Sequence, residues 1–285
     1  MTAAEIRGPG RDPDMPLPQF TLKVAGYKTA YADSGTQHLG EPLLFIHGLA
    51  GNATHFVHIV SAFATTRRVL AIDLPACGES EALPRLSVDN YAAHVFSFLD
   101  TLGIARVTLI GHSLGGMVTM ACCLRAPERV SRAICISPAG FEPPPRWLRP
   151  VARAILRPRV LDPLLPRVWK ALLGQVFYGS NEHTERFMKV VRESYRDEDV
   201  GLVSRVMSQL KRDFLSRDFT RELRKVKVPF ALEWGAEDKL VPARKLRKGA
   251  AMINARVDEI AECGHMPIIE KPQAVIRFLR EVIEP

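Results

Sequence analysis

The sequence predicts an α/β fold in which a mainly parallel β-sheet is flanked by helices. Short apolar runs alternate with longer stretches of helical period, an alternation typical of parallel sheets. The apolar runs are residues 43–47, 68–73, 107–111, 133–137 and 229–234. A chain of 285 residues is long enough for one large domain of this class, and 47% hydrophobic with 25% charged residues is an ordinary globular composition.

The first thirty residues predict a flexible leader followed by a hairpin. Residues 1–18 combine glycine, proline and charged residues and offer no apolar face to bury, so we expect them to be flexible. Residues 20–31 contain two short β-prone runs separated by Gly26, which tolerates a positive φ. The folded domain is therefore expected to begin with two antiparallel strands.

The alternation of runs is interrupted over residues 141–218. Prolines occupy residues 143–145, and helical segments without strand signals follow them. We therefore expect a helical cap here, inserted into a core formed by residues 19–140 and 219–285. Apolar residues at helical spacing over 267–283 predict a closing helix.

Composition argues against several function classes. The five cysteines are odd in number and scattered, without the spacing of a zinc site or disulfide framework, so buried thiols in a reducing cytoplasm are expected. No apolar run predicts a membrane-spanning helix, and no secretory signal is visible. The net charge of +8 fits a solvated surface as well as an anionic partner. Without a metal cluster, phosphate-binding glycine loop or nucleic-acid motif, no metal, cofactor or nucleic acid is expected.

The candidate nucleophile is Ser113. Residues 111–115 have the sequence Gly-His-Ser-Leu-Gly, which matches the GxSxG pattern in which a sharp turn lifts a serine between a strand and a helix. The apolar run 107–110 precedes the serine and the helix-forming segment 117–124 follows it, as this motif requires. The alternative is a serine that only caps a helix.

A serine nucleophile requires a histidine to take its proton. In this motif the chain order is serine, then an acid, then histidine. Only His183 and His265 follow Ser113, and His183 falls in the expected cap. His265 is therefore predicted as the general base, the alternative being a surface histidine that precedes a helix.

The acid that orients the histidine is predicted to be Asp238. It follows the apolar run 229–232 in a loop, just before a helix begins. Its neighbour Glu237 is the main rival. Asp258 and Glu262 are weaker candidates because they are too close to the histidine along the chain.

Two backbone N–H groups should bind the oxyanion that forms during attack on a carbonyl. One is expected from Leu114, the residue after the nucleophile. The other is expected from Leu49, because Gly48 allows the chain to turn after an apolar strand. His47 is expected to brace this loop by hydrogen bonds and to transfer no proton.

With these motifs the chain resembles the α/β-hydrolase superfamily over about residues 20–283, in particular capped serine esterases, lipase-like proteins, carbon–carbon bond hydrolases and cofactor-free perhydrolases. The loop at 73–80 is similar to the family's D-x-x-G-x-G-x-S motif, with Ala76 in place of a glycine. The resemblance implies a mostly parallel eight-stranded sheet with a helical cap. Ser113 argues against the dehalogenase and epoxide hydrolase branches, which place an aspartate at this position.

The function expected first is hydrolysis of a carboxylic ester with an apolar acyl group through an acyl-enzyme. Thioester, lactone or carbon–carbon bond cleavage needs the same triad and remains open. A carbon–carbon bond hydrolase would need polar anchors for an acidic substrate near the serine. A ligand receptor that retains the hydrolase fold is a second alternative of another class.

The first part of the expected cap, residues 146–170, mixes arginines with large apolar residues and contains only one acid, Asp162. One interpretation is that this segment lies on an anionic membrane, which would make a cytoplasmic protein peripheral to the membrane. The other is that its apolar residues face the site or core while the arginines are solvated. Either way, an apolar pocket that favours medium or long acyl chains is expected.

Overall fold

The computed structural model describes residues 11–38, 40–194 and 197–284, and within them eight strands form one sheet in the order β1-β2-β4-β3-β5-β6-β7-β8. The first two strands pair antiparallel, β2 pairs antiparallel with β4, and the other neighbours are parallel. The strands are β1 (Gln19–Val24), β2 (Tyr27–Asp33), β3 (Gly40–Ile46), β4 (Arg67–Ile72), β5 (Val107–His112), β6 (Val130–Ile136), β7 (Phe230–Gly235) and β8 (Arg256–Ile260). The predicted α/β class, the amino-terminal hairpin and all five apolar runs are confirmed.

The helices of the described chain cover both faces of this sheet. They are α1 (Val88–Thr101), α2 (Leu114–Arg125), α3 (Arg149–Ile155), α4 (Pro158–Leu173), α5 (Glu182–Ser194), α6 (Asp197–Ser216), α7 (Phe219–Glu222), α8 (Ala243–Ile253), α9 (Pro267–Glu270) and α10 (Pro272–Ile283). Short 3-10 turns follow β3 and precede β6 and β7. None of the described helices is long and apolar enough to cross a membrane.

Alternate residues of the central strands supply two separate apolar cores. In β3, Leu44 and Ile46 pack with α1, α2 and α8 on one face, while Leu43 and Phe45 pack with α9 and α10 on the other. All four side chains are fully buried. Both faces of the central strands are covered, which explains why these strands appear in the sequence as continuous apolar runs.

The flexible leader predicted for residues 1–18 is wrong from Arg11 onwards, and its first ten residues lie outside the described chain. The guanidinium of Arg11 pairs with the buried carboxylate of Asp73, and the carboxylate of Asp12 accepts hydrogen bonds from Arg186 at 2.6 and 3.0 Å. Composition indicated that these charged residues would be solvated. They are instead buried because each has an oppositely charged partner.

The closing helix predicted over 267–283 is divided into α9 and α10. Lys271 separates them with φ −136° and ψ 54°, outside the helical region. Pro272 follows, and its ring disfavours helical geometry at the preceding residue. The helical spacing of apolar residues was therefore identified correctly, but the effect of this proline was missed.

Four helices, α3 to α6, lie between β6 and β7, where the sequence predicts the cap. Helices α4 and α6 pack on each other around a small cluster that includes Leu161, Leu165 and Val203. The chain then returns to the sheet through α7, whose Phe219 is fully buried in the main core. The excursion therefore begins and ends at neighbouring strands of one sheet.

Candidate active site

Ser113 lies on a strained turn between β5 and α2. Its φ is 53° and its ψ is −111°, a combination that residues other than glycine rarely adopt. The turn is crowded: a Cβ at Gly115 would lie 2.0 Å from the carbonyl oxygen of Ile46, and one at Gly111 would lie 2.2 Å from that of Gly115. Both glycines of the motif are therefore required for steric reasons, and the turn holds the serine above the carboxyl end of β5.

A chain of hydrogen bonds connects the three residues predicted as nucleophile, base and acid. Nε2 of His265 lies 2.9 Å from Oγ of Ser113, and Nδ1 of His265 lies 2.7 Å from Oδ2 of Asp238. Both His265 and Asp238 are buried. With the proton on Nδ1 donated to the carboxylate, Nε2 accepts the proton of the serine hydroxyl, which is the arrangement that activates a serine.

Asp238 lies in the loop that follows β7, and both of its oxygens have partners. Oδ1 accepts hydrogen bonds from the N–H groups of Leu240 and Val241, each at 2.8 Å, which leaves Oδ2 to face the histidine. The carboxylate of the rival, Glu237, instead accepts from the N–H of Cys263 at 3.0 Å. Among the described contacts, the histidine has this one carboxylate partner.

Glu270, which the sequence analysis missed, fixes the loop that carries His265. Its Oε2 accepts from the N–H of Gly264 at 2.7 Å, and its Oε1 accepts from the N–H groups of Tyr178 and Gly179 at 2.9 Å. The N–H of His265 donates to the carbonyl oxygen of Val176 at 2.7 Å. The signal available in the sequence was a glutamate in the short segment after a glycine-histidine pair, but its burial, and hence its need for several donors, follows only from the structure.

The two residues predicted to bind an oxyanion through their backbone N–H groups belong to segments that lie next to the serine. Leu114 is the first residue of α2, so its N–H belongs to the helix-start donors that have no partner within the helix. The loop with Leu49 lies against the turn, since a Cβ on Gly48 would be 3.2 Å from Cβ of Ser113.

His47 braces this loop, as predicted. Its Nδ1 donates to the carbonyl oxygen of Gly48 at 2.7 Å, and its Nε2 accepts from the N–H of Leu74 at 2.9 Å. The ring is fully buried, and burial lowers the pKa of His47. The imidazole is therefore neutral and already has a partner on each nitrogen.

An apolar cavity of about 300 Å³ opens above the serine. Core loops and the inserted helices both line it. The apolar lining consists of Leu49, Ala50, Leu165, Trp169, Leu172, Leu173, Val176, Phe187, Val191, Met207, Leu240, Val241 and Met266. No arginine, lysine or carboxylate is among the described residues that line it.

Two further histidines, His55 and His112, line the cavity and were missed. Nε2 of His112 lies 2.8 Å from the carbonyl oxygen of His265, and burial, followed by the charge of His265, lowers the pKa of His112 to about 3. Burial also lowers the pKa of His55 well below its usual value. Within the described chain, Nδ1 of each ring has no hydrogen-bond partner. Both side chains are therefore neutral polar groups in an otherwise apolar lining.

Within the described ranges, no group of three or more histidine, cysteine, aspartate and glutamate side chains is arranged to hold a metal ion. The five cysteines are all buried free thiols, as predicted. Burial raises the pKa of Cys77 to about 12, which keeps this thiol protonated and a poor nucleophile.

The sequence and the fold are both similar to those of known proteins. A family model described as alpha/beta hydrolase fold matches residues 41–272. A 2-hydroxy-6-oxononadienedioate/2-hydroxy-6-oxononatrienedioate hydrolase of Burkholderia vietnamiensis is 31% identical over 266 residues, covering 89% of this chain and 89% of that protein. The dihydrolipoyllysine-residue acetyltransferase component of the acetoin cleaving system of Pseudomonas putida is also 31% identical, over 93% of this chain and 70% of that protein.

Among solved structures, a membrane phospholipase A described as a bacterial virulence factor superposes with a TM-score of 0.77 at 23% identity. The match covers 95% of this chain and 88% of that one. At this identity the likeness concerns the fold alone.

Proposed function

The chain belongs to the α/β-hydrolase family, and within that family we propose that it is a serine hydrolase that cleaves carboxylic esters with an apolar acyl group. The observation that carries the proposal is the hydrogen-bonded chain from Ser113 through His265 to Asp238 at the base of an apolar cavity. The roles of nucleophile, base and orienting acid are assigned accordingly.

In the first half of the reaction, Oγ of Ser113 attacks the ester carbonyl while Nε2 of His265 takes its proton. The imidazolium that forms is stabilised by the Asp238 carboxylate on Nδ1. Negative charge develops on the carbonyl oxygen, and the N–H groups of Leu49 and Leu114 donate to it. Collapse of this intermediate breaks the ester bond, and the histidine returns the proton to the departing alcohol.

In the second half, water attacks the acyl-serine. Nε2 of His265 takes a proton from that water, and the same two N–H groups stabilise the second oxyanion. The acid leaves, and Ser113 regains its proton from the histidine. Each group thus acts twice, and the residues themselves supply all the proton transfers.

The cavity lining supports an apolar acyl group as the bound part of the substrate. Its walls are hydrocarbon and aromatic, and each buried CH₂ of a ligand contributes about 0.8 kcal/mol when it leaves water. Short acyl groups would leave most of the 300 Å³ unfilled. Medium or long acyl chains should therefore be preferred over acetate.

Carbon–carbon bond hydrolysis is the second candidate, favoured by the 31% identity to the Burkholderia enzyme. A dienedioate substrate is a dianion, and such an acid would need a cationic or strongly donating anchor. The described lining has His55 and His112 but no arginine or lysine. Ester cleavage fits this lining better than cleavage of an acidic substrate does.

We also propose that residues 141–218 act as a cap over the site. Helices α4, α5 and α6 supply Trp169, Phe187 and Met207 to the cavity wall, opposite the serine. The inserted helices thereby cover the acyl site and determine its length and shape.

A series of p-nitrophenyl esters tests the function and the substrate class. We expect kcat/KM for the octanoate to exceed that for the acetate at least tenfold. Leu173→Trp, which fills part of the cavity, should reduce that ratio, whereas Leu148→Trp on the exposed surface should leave it unchanged. Equal kcat/KM values for both esters would contradict the proposal that the cavity binds the acyl chain. Turnover of a dienedioate with no ester hydrolysis would favour the second candidate.

A further inference from the structure

The inserted helices expose large apolar side chains to solvent. Trp147 is 75% exposed, Val151 58% and Ile155 45%. They recur every four residues, so they lie on one side of α3 and the turn before it. Val160 and Leu164, also four residues apart and exposed, add two more such side chains on α4, the next helix. Isolated exposed apolar residues are common, but five within one short segment indicate an interaction surface.

The same segment is strongly basic. From residue 146 to 170 it contains six arginines and one lysine but a single acid, Asp162. That acid accepts a hydrogen bond from Ser204 on α6. Arg153 and Arg157 are exposed, and within the described chain neither forms an ion pair. Elsewhere in the fold, exposed Arg247 and Arg256 are each paired with a glutamate.

We propose that the exposed residues of segment 146–167, named here the basic apolar surface, dock on an anionic lipid bilayer. The aliphatic and indole groups would enter the acyl boundary, and the long arginine side chains, of which Arg153 starts from the other side of α3, would reach back to lipid phosphates. Each arginine near such a surface contributes to binding through its attraction to anionic headgroups. Helices that lie in the plane of a membrane have this combination of apolar and basic residues.

A second copy of the chain fits the surface less well. In a two-fold symmetric dimer this patch would face itself, bringing unpaired arginines of both copies together without acids to neutralise them. A bilayer of anionic lipid supplies negative charge and an apolar interior at the same surface.

The position of the surface connects docking with the proposed esterase function, although docking itself does not depend on that function. Leu172 on α4 is exposed and also lines the cavity above Ser113. The apolar wall of the cavity therefore continues to the outside on the same helix that carries Val160 and Leu164. An acyl chain could pass between bilayer and cavity along hydrocarbon contacts.

Vesicle co-sedimentation of the full chain tests the proposal. The probes are vesicles of phosphatidylcholine alone and of phosphatidylcholine mixed with phosphatidylglycerol, each at low and high salt. We expect binding to the anionic vesicles that weakens with salt, and weaker binding to the neutral ones. Absence of binding to anionic vesicles at low salt, or equal binding to both vesicles, would overturn the proposal.

Three paired variants locate the surface. Arg153→Glu with Arg157→Glu should weaken partitioning to anionic vesicles at least tenfold, because two attractions become repulsions. Val151→Ser with Ile155→Ser should weaken it by a similar factor through lost apolar insertion. The charge-matched control is Arg106→Glu with Arg125→Glu.

The control pair lies at the opposite end of the parallel strands from Ser113. Arg106 precedes β5 and Arg125 ends α2, whereas Ser113 connects these two elements at their other ends. Circular dichroism establishes that each variant is folded. Equal loss in the control pair and in the Arg153 and Arg157 pair would show that net charge alone causes the effect and would overturn the proposal. Concentration-dependent dimerisation that needs Val151 and Ile155, without vesicle binding, would assign the surface to a second copy instead.

Discussion

The sheet core and the inserted helices differ in how tightly they are packed. Every residue of β5 is buried, and the turn at Ser113 leaves no room for a side chain at either flanking glycine. In α3, by contrast, no residue is buried. The core holds Ser113, His265 and Asp238 within hydrogen-bond distance, while the insertion provides one wall of the cavity and an exposed surface. Under the proposed function, chemistry and selectivity therefore belong to separate parts of the chain and should respond to mutation separately.

The largest effect is expected from the reacting residues of the core. Ser113→Ala and His265→Ala should each lower kcat/KM for a p-nitrophenyl ester by about 10⁴-fold or more, because the members of a triad act as a unit. Neither side chain supports the apolar core, so thermal unfolding should change little. Ser97→Ala and His183→Ala are matched controls outside the site. Near-normal turnover by folded Ser113→Ala would remove the basis of the mechanism.

Substitutions at the two neighbouring acids should separate their roles. Asp238→Asn should lower kcat by about 10³- to 10⁴-fold, because an amide no longer selects the tautomer with Nε2 free to accept a proton. Glu237→Gln should lower kcat by less than about tenfold, since Glu237 contacts the N–H of Cys263 and not the histidine. The reverse ranking, measured by steady-state kinetics, would reassign the acid while leaving serine catalysis intact.

A smaller effect is expected at Glu270, where the core meets the insertion. Glu270→Gln places an amide NH₂ against backbone donors of Gly264 or Tyr178, so the loop that carries His265 should shift. We expect a loss of about 10- to 100-fold in kcat with a smaller change in KM. Glu182→Gln on the exposed side of α5 is the control. If kcat is unchanged while stability falls, Glu270 supports the fold alone.

The smallest effect on catalysis is expected at a buried acid of the core, where a substitution should change stability alone. Glu233 on β7 is fully buried, and neither of its carboxylate oxygens has a partner within the described chain. Burial, reinforced by the charge of Asp258 and partly offset by Arg277, raises the pKa of Glu233 to about 8. The folded protein therefore keeps a proton on this group over a range of pH in which the unfolded chain releases it.

The free energy of unfolding should accordingly fall as pH rises from about 4.5 towards 8, because the folded state binds more protons than the unfolded state in that window. Glu233→Gln should flatten this dependence. It should also raise the free energy of unfolding near pH 8 by a few kcal/mol, because each unit of pKa shift corresponds to a free energy on the order of one kcal/mol. Glu128→Gln, at an exposed position, should leave it unchanged. Equal pH slopes for the Glu233 variant and the original chain, in chemical denaturation, would contradict the assignment.

The same contrast explains what the sequence could predict. The strands, the turn at Ser113 and the order of serine, aspartate and histidine depend on local patterns, so they are visible in the chain. The pairing of Arg11 with Asp73 and the hydrogen bonds from Tyr178 and Gly179 to Glu270 join residues far apart in sequence, and composition does not encode such contacts. The division between α9 and α10 was visible at Pro272 and was overlooked.

In the insertion, the sequence left two interpretations of the basic segment open. The structure places some apolar residues on each side: Leu165 faces the cavity, whereas Val160 and Leu164 are exposed. Helical periodicity alone could not separate these faces, because apolar residues occupy adjacent positions around α4. The packing of the neighbouring helix α6 determines which face of α4 is covered.

The central claim, acyl transfer to Ser113 inside an apolar cavity, is tested most directly by intact-protein mass spectrometry after brief reaction with p-nitrophenyl octanoate and an acid quench. We predict a single octanoyl adduct that peptide mapping places on Ser113, that is absent from Ser113→Ala and that forms more slowly in Leu173→Trp. An adduct on another residue, or turnover without any adduct when release of p-nitrophenol shows a burst, would contradict the account.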